Sequence, residues 1–127
     1  MENYNRIWRR TLPKLTAFVM GVSLTGAAFA HVFPQHQEPG AGATVMSPAK
    51  VKIVFGGSLE PAFTSMIVTD STGKQVNAAQ ATVDPQERNV VSLALPTLPA
   101  GHYTVHWIAV AEDGHRTQGD YSFGVKS

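Results

Sequence analysis

Apolar side chains recur at every second position in several short runs of this chain. Val51, Ile53 and Phe55 stand in phase within Val51-Lys52-Ile53-Val54-Phe55, and Val91, Leu93 and Leu95 repeat the period before Pro96. The strongest run is His102 to Val110, with Tyr103, Val105 and Trp107 on one face and His102, Thr104 and His106 on the other. Asp120 to Lys126 repeats it with Tyr121, Phe123 and Val125. Thr64 to Thr69 holds Met66, Ile67 and Val68, and Asp70-Ser71-Thr72-Gly73 is a turn sequence that predicts a hairpin back through Gln75 and Val76. Residues 31–43 are broken by Pro34, Pro39, Gly40 and Gly42 and read as an edge strand or arm. Residues 78–88 are polar, contain Pro85, and read as a loop with at most a ragged strand. About seven short strands at intervals of roughly ten residues, with turn chemistry between them, predict an all-β antiparallel sandwich. Its expected inward set is Val51, Ile53, Phe55, Ile67, Val91, Leu93, Tyr103, Val105, Trp107, Tyr121, Phe123 and Val125.

The first thirty residues follow another rule. Arg6, Arg9, Arg10 and Lys14 precede an apolar run from Leu15 to Ala30 that closes on Ala28-Phe29-Ala30, the small-x-small pattern of a signal-peptide cleavage site. The run contains Gly21, Ser23, Thr25 and Gly26 and is shorter than the ~20 apolar residues of a spanning helix. The expected organisation is therefore a signal peptide at 1–30 and one exported domain at 31–127, with the export route left open.

Removing the leader changes the charge. Lys50, Lys52, Lys74, Arg88, Arg116 and Lys126 remain against Glu38, Glu60, Asp70, Asp84, Glu87, Glu112, Asp113 and Asp120, so the pI of about 8.1 describes a chain that the exported protein no longer is. A slightly acidic domain without a basic patch is a poor partner for nucleic acid or an anionic membrane. The chain has no cysteine, which rules out a disulfide framework, thiolate metal sites and thiol catalysis.

Chemistry concentrates where the domain begins and where its two strongest strands meet. Cleavage after Ala30 would make His31 the first residue, and a terminal histidine chelates one ion through its α-amine and imidazole. Asp113-Gly114-His115 adds a carboxylate and a second imidazole two residues apart. The resulting three nitrogens and one oxygen suit Cu(II), which prefers square-planar N/O sets and leads the divalent affinity order. The bland alternatives are a chance residue after the cleavage site and an ordinary Asp-Gly turn. His102 and His106, about 13 Å apart by strand rise, read as surface residues, and His36 as an uncertain extra donor. Ser58 and Ser65 lack a nucleophile-elbow setting, and no glycine-rich phosphate loop occurs.

Three blocks then carry a resemblance: His31-Val-Phe-Pro-Gln-His-Gln-Glu-Pro39-Gly40; Val51 to Phe55 with Glu60-Pro61-Ala62-Phe63; and Leu98-Pro-Ala-Gly101-His-Tyr103-Thr-Val105-His-Trp107, Asp113-Gly114-His115 and Gly119-Asp-Tyr121-Ser-Phe123-Gly-Val125. In these the chain resembles the CopC family of periplasmic copper-binding proteins. The resemblance implies an immunoglobulin-like Greek-key β-sandwich or barrel. It also implies one Cu(II) held by His31, Asp113 and His115, and a role in copper resistance or homeostasis without catalysis. The implied partner is a membrane copper transporter of the importer type, served by a monomer. Pro34 and Gln37 depart from the family's opening motif, and Arg116 stands where proline often follows Asp-Gly-His; none removes a ligand. With Met66 as the only methionine between Phe63 and Asp84, the chain looks like a Cu(II)-only member. The rivals are a copper oxygenase with a terminal-histidine brace and a metal-free immunoglobulin-like assembly module.

Overall fold

The computed structural model describes residues 31–127 and Gly21, so the expected signal peptide, 1–30, lies outside the described residues apart from Gly21. Eight strands run in chain order: β1 Pro34–Glu38, β2 Thr44–Val45, β3 Lys50–Phe55, β4 Ser65–Asp70, β5 Thr82–Val83, β6 Val90–Ala94, β7 Gly101–Val110 and β8 Arg116–Val125. They form two four-stranded sheets, β1-β3-β6-β5 and β2-β8-β7-β4. Neighbours are antiparallel except β2, which lies parallel to β8. The sandwich is therefore all-β, as the period-two runs predict. Two of the eight, β2 and β5, are two-residue pieces, and the expected return through Gln75 and Val76 forms a single bridge, Thr69 with Gln75, instead of a strand.

The inward faces meet in one core. Val51, Ile53, Phe55, Val91, Leu93, Tyr103, Val105, Trp107, Tyr121, Phe123 and Val125 are all buried in it. Phe55 of one sheet packs edge-on against Trp107 of the other, with ring centroids 5.3 Å apart, a favoured aromatic geometry that ties the layers together. Leu59 and Leu98, which lie in connections, close the core with almost no exposure.

Ile67 corrects the expected inward set. It points outward and is 38% exposed. The register pairs Met66 with Trp107 and Val68 with Val105, both inward, so the residue between them faces His106 on the outer side. Strand β4 is an edge, and Asn77 partly caps it: its Oδ1 accepts the Val68 N–H at 2.8 Å while its Nδ2 donates to the Ala79 carbonyl at 3.0 Å. The 31–43 arm takes the expected edge position as β1 against β3, with a register shift between Pro34 and His36. Strand β8 starts at Arg116, four residues before the expected Asp120, because residues 116–119 already pair with β7.

Candidate metal centre

Strands β7 and β8 are joined by Ala111 to His115, and the backbone there is a defined hairpin. The Gly114 N–H donates to the Ala111 carbonyl at 2.9 Å, and the Ala111 N–H donates to the His115 carbonyl at 2.9 Å. Gly114 has φ +90°. This is a turn over Glu112 and Asp113 followed by a left-handed glycine, the three-residue loop with a bulge that continues two strands in register. Asp113 occupies the turn position from which a carboxylate reaches its own backbone two residues on. Its Oδ1 accepts the His115 N–H at 3.0 Å and its Oδ2 lies 2.8 Å from His115 Nδ1. The first of these bonds, then the second, holds the Asp113 carboxyl below the usual aspartate range. Both side chains are about half exposed, so the pair faces solvent and is open to an incoming ion.

His31 arrives from the other end of the domain. Its ring centroid is 6.1 Å from that of His115, with the planes nearly perpendicular, and 6.1 Å from that of Phe33. The arm is held there by three anchors. Val32 is buried in the core at 5% exposure. Its carbonyl accepts the Thr117 hydroxyl at 2.6 Å, and the Phe33 carbonyl accepts the Gly56 N–H at 3.0 Å.

Two of these separations can be set against those of donors on one ion. Two donors in adjacent corners of a square plane with bonds of about 2.0 Å stand about 2.8 Å apart. The Asp113 Oδ2 to His115 Nδ1 distance is 2.8 Å. Two imidazoles on opposite sides of an ion have centroids about 6.2 Å apart, given the same bonds and roughly 1.1 Å from nitrogen to ring centre. His31 and His115 stand 6.1 Å apart. Among the described residues, no three His, Asp or Glu side chains come close enough together to hold a metal ion as they stand. The structure brings together the Asp113–His115 pair, with the His31 ring beside it.

The other histidines sit elsewhere. His36 Nε2 is 3.0 Å from Glu38 Oε1 on β1. His106, on the outer face as expected, has Nε2 3.0 Å from Thr69 Oγ1 and Nδ1 3.8 Å from Asp120. His102 is exposed at the start of β7. Around the candidate centre, Glu112 lies 3.8 Å from Arg88, and Arg116 donates to Gln118 at 3.2 Å; both are exposed contacts that contribute little to stability.

Comparison with known proteins agrees with this architecture. The CopC domain model matches residues 35–126. This chain belongs to the CopC family. It is 31% identical over 115 residues to copper resistance protein C of Escherichia coli, covering 85% of this chain and 90% of that protein. Its fold is similar to the crystal structure of CopC from Methylosinus trichosporium OB3b, with TM-score 0.71 and 37% identity over 76% of this chain and 94% of that one. It is also similar to PcoC, described as a methionine-rich copper resistance protein from Escherichia coli, with TM-score 0.68 and 28% identity over 76% of this chain and all of that one. The CopC domain here is not rich in methionine: after residue 30 it has only Met46, exposed, and Met66, buried against the core. Thr117 and Val32, which tether the arm of this CopC domain, were not flagged by sequence reasoning.

Proposed function

We propose that this CopC-family protein is an exported, periplasmic Cu(II) carrier serving copper resistance or homeostasis. The ion is held by His31, Asp113 and His115 in the domain 31–127. The intact chain gives His31 a peptide nitrogen after Ala30, so cleavage of the 1–30 signal peptide supplies the α-amine. The imidazole of His31 then chelates with that amine, His115 contributes a second imidazole, and Asp113 contributes the oxygen. The observation that carries the reading is the 2.8 Å Asp113–His115 contact with the His31 ring 6.1 Å away. Binding the ion breaks the hydrogen bond between Oδ2 and Nδ1, and its proton leaves to solvent.

Asp113 fills a coordination position that an oxygen-activating centre would keep open, which supports a carrier over an oxygenase. The carrier acts as a monomer that hands its ion to a membrane copper transporter of the importer type. It has no nucleic-acid partner, in keeping with its acidic balance after residue 30.

The test uses protein purified from the exported fraction. An intact mass beginning at His31, one Cu(II) per chain and a tetragonal EPR signal with nitrogen hyperfine structure are expected. His115→Ala should abolish that signal and weaken binding at least a hundredfold. A different mature end, or copper binding unchanged in His115→Ala, would sink the reading.

A further inference from the structure

We infer that Thr117 is a positioning residue for the copper centre: its hydroxyl, by holding the Val32 carbonyl, sets the distance between His31 and His115. The inference rests on the Cu(II) reading above for its consequence, and on the backbone geometry for its mechanism.

Thr117 lies two residues after His115 on β8, and Val32 follows His31 directly. The bond between Thr117 Oγ1 and the Val32 carbonyl, 2.6 Å, joins positions 85 apart in sequence. It closes a short path, His115-Arg116-Thr117 to Val32-His31, between the two imidazoles. The rest of this path is stiff. Thr117 is paired with the fully buried Ala109 in the β7–β8 ladder, and the Val32 side chain is buried. A methyl group of Val32 comes within 3.5 Å of where a Cβ on Gly57 would stand. The next carbonyl of the arm, Phe33, is held from the opposite sheet by Gly56 N–H. The arm is thus clamped by both sheets at adjacent residues, and the Thr117 clamp is the one nearest His31.

Loss of the hydroxyl leaves a half-buried carbonyl without its donor and lets His31 swing about the Phe33 anchor. The ion then has to supply the ordering that the hydrogen bond supplies in the metal-free protein, which appears as lost affinity.

Exported protein carrying Thr117→Val, Thr117→Ala or Thr117→Ser tests this. In the metal-free wild type, NMR cross-peaks between the His31 and His115 ring protons are expected. They should vanish in the valine and alanine variants and persist in the serine variant, with the remaining amide spectrum intact in all three. Cu(II) competition titration should show about tenfold weaker binding for valine and alanine, and binding within about threefold of wild type for serine. In a His31→Ala background, Thr117→Val should change the affinity by less than about twofold. Ring cross-peaks and affinity unchanged in Thr117→Val and Thr117→Ala would overturn the inference. So would an equal loss of affinity with and without His31, which marks a general structural role. If His115→Ala leaves copper binding intact, the copper reading fails instead, and the metal-free cross-peaks still decide whether Thr117 positions His31.

Discussion

Replacing Gly114 separates conformational cost from steric cost at the turn that builds the candidate centre. Gly114 has φ +90°, and a Cβ built on it meets no other atom within 4 Å. A Cβ therefore has room, and at alanine only the left-handed backbone resists it. That backbone costs an ordinary L-residue about 1–2 kcal/mol. Removing glycine also restricts the unfolded chain, which returns about 0.4–1 kcal/mol. Gly114→Ala should then destabilise the domain by about 1 kcal/mol, equivalent to a fall of roughly 4–8 °C in Tm for a domain of this size. Gly114→Asn should cost less, because asparagine tolerates this region, and Gly114→Val more. Asparagine is larger than alanine, so conformation and volume predict opposite orders for that pair. The assay is urea unfolding of the metal-free exported protein, followed by the fluorescence of Trp107, the only tryptophan after residue 30. Alanine as stable as glycine, or asparagine worse than alanine, would refute the argument.

Two further substitutions probe the core behind the centre. Gly119→Ala should destabilise by about 1–3 kcal/mol in the same assay, because the new Cβ would lie 2.7 Å from Cζ2 of Trp107, a ring already packed on Phe55; a neutral result would mean that this ring can shift. Tyr121→Phe should be neutral or stabilising by up to about 1 kcal/mol, since its buried hydroxyl has no hydrogen-bond partner among the described residues and burial pushes its pKa up; a loss above about 1 kcal/mol would show that the hydroxyl is satisfied in solution.

What could be read from the sequence depended on how many phases each stretch allowed. Tyr103, Val105 and Trp107 alternate with polar residues, so only one face of β7 could be inward, and it is. Met66-Ile67-Val68 is apolar throughout and allows both phases; the pairing with β7 chooses, and it puts Ile67 outside. Leu59 and Leu98 lie in irregular connections where no period exists, so their burial was not legible. The Asp113-Gly114-His115 hairpin was visible because turn chemistry is local. The bond from Thr117 to Val32 was not, because nothing in a local window links residues that meet only when the two sheets close.

The Asp-Gly turn and the proposed metal site use the same three residues, and they are compatible. The turn needs a carboxylate at Asp113 to accept the His115 N–H, and the left-handed Gly114 brings His115 back beside it. That leaves Oδ2 and Nδ1 2.8 Å apart, the spacing of adjacent donors on a square-planar ion. Local folding of the β7–β8 hairpin therefore sets the two proposed donors side by side without any metal. The third, His31, comes from the far end of the chain and is brought near only by tertiary closure. A site built this way divides its demands. Changes in the turn should act on fold and copper together, whereas changes at the arm should act on copper with little effect on the core. The contrast between Gly114 and Thr117 variants follows from that division, and metal removal should leave the sandwich folded.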